Sequence, residues 1–232
     1  MGQGTQVTRY PNGVSLHGAG ALKNAPVPNF KSDWLVAWDD FTNYIAGDWT
    51  VTETQAGATQ ALLDEQGGVL RLGNSAADND VNQIQKVGEA WKLVAGKRTI
   101  FQARIRVSEA TQTDWHVGLI ITDTDLVGGI TDGLYFRKDD GDAQIDLVSL
   151  KNSSGTTLTN VGTASTSFVK LGFYFNGTSL YAFINDAQAG FSAAPTFCDD
   201  EELRITFSQT NGDGNARNFD IDYYYVAQEI AR

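Results

Sequence analysis

Short segments in which apolar and polar residues alternate follow one another through most of the chain. In RTIFQARIRVS, the side chains of Phe101, Ala103 and Ile105 share one face, whereas Gln102 and Arg104 point the other way. A period of two is typical of a strand with one buried face. The segments WHVGLIIT and ELRITFS alternate in the same way, and no stretch of a dozen residues shows a helical stripe. The pattern therefore predicts a protein built mainly from strands.

The carboxyl-terminal segment NFDIDYYYV continues the alternation and predicts the last strand. Its spacing places Phe219, Ile221, Tyr223 and Tyr225 together on the buried face. Counted along the chain, the segments amount to roughly a dozen strands at the spacing of an antiparallel sandwich. Because polar turns join them without crossover helices, the sequence predicts an all-β fold, an antiparallel β-sandwich of jelly-roll type over residues 37–232.

Two strand pairs are specific enough to predict a register. In TDGLYFRKDDGDAQIDLV, a two-residue turn at Asp140–Gly141 sets Phe136 opposite Ile145, which puts large apolar side chains on one face. In KLGFYFNGTSLYAFI, a turn centred on Gly177–Thr178 gives a second apolar face. The cross-strand pairs predicted there are Phe175 with Leu180, Phe173 with Ala182 and Leu171 with Ile184.

The first of these turns carries acids that could hold a cation. Asp139 and Asp142 would lie directly opposite each other, which is unfavourable unless water or a cation separates them. A second turn, Asn211–Asn215 (NGDGN), alternates oxygen-bearing residues with glycine. A calcium ion needs about six to eight oxygens around one point, and the predicted register keeps Asp146 apart from the other acids. A solvated turn without a metal is the favoured interpretation at both places, and cation binding is the alternative.

Catalytic groups are hard to assemble from this sequence. A sandwich glycosidase needs two carboxylates that flank one bond, and the strand motif Glu-x-Asp-x-x-Glu does not occur. Asp220 and Asp222 share a predicted strand face without a third acid at the right offset. The two histidines, His17 and His116, have no triad partners in view. The sequence therefore predicts a protein that is not an enzyme, without hydrolase activity and without a cofactor.

Aromatic residues offer an alternative to a purely structural role. Five tryptophans and eight tyrosines could form a platform for sugar rings, although aromatic residues in a sandwich more often belong to the core. A carbohydrate-binding module would show an exposed aromatic row in a groove. We expect the following side chains on the polar faces of their strands, where a partner could touch them: Arg104, Arg106, Tyr135, Tyr174, Tyr181 and Tyr224.

Charge and cysteine content narrow the range of partners. The chain has 232 residues and a formal net charge of −11 without a basic run, so it should repel double-stranded nucleic acid. Cys198 is the only cysteine, which excludes an internal disulfide and fits a small buried side chain. The sequence lacks the pattern of a signal peptide and any apolar run of the roughly 20 residues that span a bilayer. We expect no nucleic acid partner and no membrane partner.

Residues 1–36 differ from the rest and are predicted to form an extended arm. The segment GVSLHGAGALKNAPVPNF is small and polar, and its prolines favour extended backbone. TRYPNGV offers a guanidinium, an aromatic ring with a polar tip and a stiff proline, which suit docking onto a neighbouring surface. The candidate attachment residues are Arg9, Tyr10, Pro11 and Asn12. A flexible tail without a partner is the alternative.

Segments along nearly the whole chain resemble one family, the virion structural proteins of tailed bacteriophages, especially marine ones. The resemblance implies a concanavalin A-like jelly roll that decorates or cements the capsid shell, and the family has no catalytic motif to carry over. The segments that carry it are TRYPNGV, GDWTVTET, VSEATQTD, GLIITDTD, TDGLYFRKDDGDAQIDLV, DDEELRITF and DYYYVAQE.

The resemblance also implies a location and a partner. The protein would assemble in the host cytoplasm and lie on the capsid surface of the virion, bound to the major capsid protein. It would form a homo-oligomer or a symmetric array there, because many copies turn weak contacts into firm attachment. The alternative is a carbohydrate-binding module, virion-borne or free, that contacts glycans of the host surface.

Overall fold

A computed structural model describes residues 34–230, which form two antiparallel β-sheets packed face to face. The predicted all-β sandwich is therefore confirmed. Besides the strands, these residues contain a 3-10 turn at Ala46–Asp48 and one four-residue helix, α1 (Leu126–Gly129). Within residues 34–230, no helix has the length and apolar character needed to cross a membrane.

Fifteen strands make up the two sheets in this part of the chain. In chain order they are β1 (Trp34–Asp39), β2 (Trp49–Glu53), β3 (Thr59–Leu63), β4 (Val69–Gly73), β5 (Val81–Lys86), β6 (Thr99–Val107), β7 (Thr113–Ile120), β8 (Gly133–Lys138), β9 (Gln144–Lys151), β10 (Ser154–Thr163), β11 (Val169–Phe175), β12 (Leu180–Ile184), β13 (Ala187–Ser192), β14 (Arg204–Asn211) and β15 (Asn218–Glu229). The eight-stranded sheet has the order β13-β12-β11-β6-β15-β4-β3, and β1 also pairs with β15. The seven-stranded sheet has the order β10-β9-β8-β7-β14-β5-β2.

The core lies between the sheets and consists of the apolar side chains that alternate along the strands. Phe101 of β6 and Phe173 of β11 stack with ring centroids 5.0 Å apart. Phe136 of β8, in the opposite sheet, packs against Phe173 at 6.3 Å. Trp115 and Val117 of β7 are fully buried in the same cluster. Burial of these faces removes apolar surface from water and holds the two sheets together.

The hairpin of β11 and β12 has the predicted register. Gly177 lies in its turn with φ +94°, and a Cβ there would come within 2.6 Å of the Gly96 backbone, so this position requires glycine. All three predicted cross-strand pairs occur, namely Phe175 with Leu180, Phe173 with Ala182 and Leu171 with Ile184.

The hairpin of β8 and β9 differs from its prediction by two residues. Phe136 pairs with Leu147 instead of Ile145, and residues 139–143 form a longer loop in which Gly141 has φ +87°. A slip by two keeps every side chain on its face, whereas a slip by one would reverse them. Phe136 and Ile145 are therefore both buried, as predicted.

The sandwich begins within the segment that the sequence predicts as an arm. Strand β1 starts at Trp34 and pairs with the end of β15, so it extends three residues into the predicted arm, which ends at residue 36. The candidate attachment residues Arg9, Tyr10, Pro11 and Asn12 lie outside the described residues.

Candidate functional site

A β-bulge in β15 decides which tyrosines reach the outer face of the eight-stranded sheet. The pairing with β6 is interrupted after Ile221, and Asp222 is the extra residue. Because a bulge adds one residue, it reverses the alternation of side chains beyond it. Tyr224 therefore packs in the core, while Tyr223 and Tyr225 face outward. The predicted core-face position of Tyr223 and Tyr225 is wrong, although Tyr225 is buried, and the predicted outer-face position of Tyr224 is wrong as well.

A cleft of about 230 Å³ opens on this outer face. Three of its residues lie side by side, because Trp38 of β1 and Gln102 of β6 both pair with Tyr225 of β15. Tyr223 and Asp40, which follows β1, complete the lining. Trp38 is 53% exposed, so about half of its surface is open to solvent. The cleft therefore combines an accessible aromatic face with phenol, amide and carboxylate groups.

Charged side chains surround the cleft, and most of them have a partner. Arg104 of β6 forms an ion pair with Asp222 of the bulge. Lys170 of β11 pairs with Asp186 at an N–O distance of 2.7 Å. Asp40 differs from these, because its carboxylate has no hydrogen bond or ion pair with the described residues. The cleft thus contains one carboxylate that remains available to a ligand.

Burial and neighbouring acids shift the titration of the groups in the cleft. Partial burial, with Asp222 and Asp39 nearby, raises the pKa of Asp40. Burial and the carboxylates around it raise the pKa of Tyr223 to about 12. Burial alone raises the pKa of Tyr225 to about 12. Both phenols are therefore neutral near neutral pH and can donate as well as accept hydrogen bonds.

An aromatic row extends from the cleft across β11, β12 and β13 on the same face. The row consists of Tyr174, Tyr181 and Phe191, with successive ring centroids 5.9 and 5.0 Å apart. Phe191 is 49% exposed. Ile100 and Tyr225 belong to the apolar cluster that connects the row with the cleft. The predicted outer-face position of Tyr174 and Tyr181 is confirmed.

The three side chains predicted to contact a partner do not share a surface. Arg104 and Arg106 flank the ring of Phe168 at 4.1 and 4.4 Å on the eight-stranded sheet. Arg106 also forms an ion pair with the buried Asp220 at 2.6 Å, so it has a structural role. Tyr135 lies on the other sheet, where α1 and its flanking loop pack over it and leave it 3% exposed. The prediction of an exposed contact is therefore wrong for Tyr135.

The covered face of the seven-stranded sheet also buries His116. Its Nδ1 lies 3.1 Å from the hydroxyl of Ser208, and its ring centroid lies 5.8 Å from that of Tyr135. Burial, with Arg137 nearby, lowers the pKa of His116 to about 3. The ring is therefore a neutral member of the sheet at physiological pH.

Replacing His116 by glutamine is expected to reduce the loss of stability in mild acid. The unfolded chain binds a proton below about pH 6.5, whereas the folded state stays neutral down to about pH 3. The unfolded state thus binds more protons in this window, and stability is lost as the pH falls through it. One such group lowers the free energy of unfolding by about 2 kcal/mol between pH 7 and pH 5. Urea unfolding at both pH values measures the effect, and equal losses in the variant and the wild type would contradict it.

The two acidic turns lie against each other, and an ammonium group of the protein lies near the first of them. Asp140 sits next to Gly212, where even a Cβ would collide with its carboxylate. The buried Lys138 donates hydrogen bonds to the carbonyl oxygens of Thr111 and Thr113, within the field of Asp140. The other acids have partners too: Asp139 with Arg137, Asp142 with the backbone N–H of Gln144, and Asp213 with Arg217. These contacts favour the interpretation of both turns without a metal.

One group of potential metal ligands was not predicted from the sequence, because its members are far apart along the chain. Asp132, Cys198 and Asp200 place ligand atoms within 4.8 Å of one another. Cys198 is buried as predicted, and this burial raises its pKa to about 11. The thiolate is the form that binds metals, so the thiol is a poor ligand here. Asp200 already forms an ion pair with Lys151 at 3.5 Å and a hydrogen bond with Asn152 at 3.2 Å. These contacts connect the loop of Asp200 with the end of β9.

The chain is similar in structure to proteins that act on or bind carbohydrates. An endo-1,3-β-glucanase from Streptomyces sioyaensis has a TM-score of 0.60 at 11% identity, over 88% of this chain and 100% of that chain. The carbohydrate recognition domain of Emp46p, in a potassium-bound form, has a TM-score of 0.51 at 14% identity, over 78% and 88%. An endo-β-1,4-glucuronan lyase from the fungus Trichoderma reesei has a TM-score of 0.56 at 10% identity, over 84% and 95%.

These similarities define the class of fold. The predicted concanavalin A-like jelly roll is confirmed, because glucanases and lectin domains share its architecture. No family model matches the chain, and no curated protein sequence matches it. At identities this low, the likeness to solved structures establishes the fold alone.

The prediction that the protein is not an enzyme is contradicted by these structures, since two of the three are enzymes. That prediction rested on the lack of a three-acid motif within one strand. Acids from separate parts of the chain can also come close together: Asp40, Asp186 and Asp222 all raise the pKa of Tyr223. Acids that converge through folding leave no local spacing in the sequence.

Sequence reasoning also missed most of the cleft. Trp38, Asp40 and Gln102 were not predicted as site residues, and Tyr223 was assigned to the core. The segment VAWDD holds the one local signal, a tryptophan followed by two acids at the end of a strand. An aromatic residue in that position is poorly placed for the core, because the strand ends there.

Proposed function

We propose that this protein binds carbohydrate chains in the cleft of Trp38, Asp40, Gln102, Tyr223 and Tyr225. The observation that carries the proposal is the open indole of Trp38, 53% exposed beside a row of hydrogen-bonding groups. Ligand sites typically combine aromatic side chains with a few polar groups in a concave surface, and the cleft has this arrangement.

The chemistry of the cleft suits a sugar ring. A pyranose has apolar C–H faces and a polar rim, so it can pack on an indole while its hydroxyls meet polar groups at the edge. The neutral phenol of Tyr223 and the amide of Gln102 offer both donors and acceptors for such hydroxyls. The aromatic row on β11, β12 and β13 gives further packing surface for a chain of several sugars.

Carbohydrate-binding domains and glycan-degrading enzymes among the structural neighbours support this proposal through the shared fold. Sugar binding is common to a lectin and to an enzyme, so the proposal holds for either class. It also agrees with the alternative that the aromatic content of the sequence suggested.

Affinity electrophoresis tests the proposal directly. Gels that contain a soluble β-1,3-glucan, a β-1,4-glucan or a glucuronan should retard the protein in at least one case. The Trp38→Ala variant should migrate in that gel as in a gel without polysaccharide. Equal migration of the wild type in all gels, with chito-oligosaccharides also failing to bind in solution, would contradict the proposal.

The role on a bacteriophage capsid stays a separate prediction. The three structures compared above are not virion proteins, and the candidate contacts Arg9, Tyr10, Pro11 and Asn12 lie outside the described residues. If the arm attaches the protein to the major capsid protein, removal of residues 2–30 should abolish binding to capsids that lack the protein. Full decoration by the shortened chain would contradict the role assigned to the arm.

A further inference from the structure

The cleft is unusual in the balance of its charges. Four carboxylates lie in or beside it, those of Asp39, Asp40, Asp186 and Asp222. Among residues 34–230, two cations are close to them, and both are already engaged, since Arg104 pairs with Asp222 and Lys170 pairs with Asp186. These four negative and two positive groups together have a formal charge of −2.

Two of the four carboxylates, those of Asp39 and Asp40, have no ion-pair partner among the described residues. Asp39 accepts a hydrogen bond of 2.9 Å from the backbone N–H of Phe41, which fixes its position. Asp40 has no hydrogen-bond or ion-pair partner among the described residues and lies in the lining with Trp38. A carboxylate without a partner, next to like charges, favours a ligand that brings a positive charge.

The aromatic groups of the cleft favour the same kind of ligand. Trp38, Tyr223 and Tyr225 line one side, with Asp40 beside them. The faces of such rings carry negative potential and attract an ammonium group, most strongly when the ring is that of tryptophan. An aromatic wall and a free carboxylate together provide cation–π and ionic contacts to one cation.

Building on the proposed carbohydrate binding, we propose that this cleft selects sugar units that carry a protonated amino group. A glucosaminyl unit can place its pyranose face on Trp38 and its ammonium group near the carboxylate of Asp40. A uronate unit would bring a second carboxylate towards this acidic region and would be disfavoured. A neutral glucosyl unit would keep the stacking and lose the ionic contact.

A series of four β-1,4-linked tetrasaccharides tests the selection, because each of the other three differs from the hydroxyl form at one carbon atom of the sugar unit. Three of them carry an amino, an N-acetylamino or a hydroxyl group at carbon 2, and the fourth carries a carboxylate at carbon 6. Isothermal titration at about pH 6, where amino groups are protonated, should give the amino tetrasaccharide at least a tenfold higher affinity than the hydroxyl form. The carboxylate form should bind most weakly.

Two variants separate the site from the general acidity of the protein. Asp40→Asn should remove the preference for the amino form, because it should lower the affinity for the amino form at least about tenfold more than the affinity for the hydroxyl form. Asp78→Asn changes the net charge equally in an exposed loop between β4 and β5, and it should retain the preference. Loss of the preference in both variants, or in neither, would overturn the assignment to Asp40.

The outcomes distinguish this inference from the proposed function. If the hydroxyl or N-acetyl form binds as tightly as the amino form and Trp38→Ala abolishes binding, the cleft binds sugars but the amino selection is refuted. If none of the four tetrasaccharides binds and the β-1,3-glucan gel gives no retardation, the selection and the proposed function are both refuted.

Discussion

Replacing Trp38 by alanine is expected to lower carbohydrate affinity at least about tenfold while the fold remains intact. Trp38 provides the most exposed aromatic face of the cleft, and its removal takes away the surface on which a sugar ring packs. Truncation of a tryptophan at the centre of a binding site commonly costs about 2 kcal/mol or more, and about 1.4 kcal/mol already corresponds to tenfold. Isothermal titration with the tightest tetrasaccharide measures the change.

The controls for this variant are a conservative change and a remote one. Trp38→Phe keeps an aromatic face and should retain part of the affinity. Val127→Ala removes an exposed apolar side chain from α1, on the other sheet, and should leave binding unchanged. Thermal melting should be similar for all variants, because neither position is buried. Wild-type affinity in Trp38→Ala would show that the ligand does not use this cleft.

Replacing Phe136 by alanine is expected to lower the free energy of unfolding by about 3 to 5 kcal/mol. Phe136 is fully buried and packs across the sandwich against Phe173. The change removes apolar contacts and leaves a cavity between two sheets that cannot move together freely. A domain of this kind is stable by only about 5 to 15 kcal/mol, so the variant loses a large share. Urea unfolding at neutral pH measures the loss.

Phe191 provides a matched control for the same chemical change. Its ring is about half exposed on the edge strand β13, so Phe191→Ala should cost less than about 1 kcal/mol. The slope of the free energy of unfolding against urea concentration should be the same in both variants and the wild type if only stability changes. Equal losses at the two positions would contradict the burial and the pairing of β8.

Alternation along the strands was sufficient to predict the sandwich and much of its core. Phe101, Ile105 and Val117 are buried as their period of two required, because a strand between two environments must alternate. The β11–β12 register was predictable because Gly177–Thr178 permits a tight turn between two strands with apolar faces. Local sequence and buried surface agree at these positions.

The β8–β9 register could not be predicted from the residues of the hairpin alone. A two-residue turn would set Asp139 directly opposite Asp142, and like charges in that position repel each other. The longer loop lets Asp142 accept a hydrogen bond of 2.6 Å from Gln144 and lets Asp139 pair with Arg137 at 3.5 Å. Lys138 donates to carbonyl oxygens of a loop more than twenty residues away. No pattern within the hairpin reveals those distant partners.

The cleft was beyond prediction for two physical reasons. The bulge at Asp222 reverses the faces of the last strand, and a bulge has no fixed spacing signal. The remaining lining comes from β1 and β6, which meet only because both pair with β15. The prediction for Tyr135 was wrong for a related reason, because α1 and its flanking loop, which do not belong to β8, cover this side chain.

The tryptophan indole N–H signals of the protein offer the most direct test that the cleft binds sugar. The protein has five tryptophans, and four of them are buried, whereas Trp38 is 53% exposed. In a nitrogen-15 NMR titration with the tightest oligosaccharide, the signal of Trp38 should shift most and saturate with the affinity found by calorimetry. The signals of Trp49, Trp91 and Trp115, inside the core, should stay in place. An unchanged Trp38 signal at saturating oligosaccharide would contradict the account.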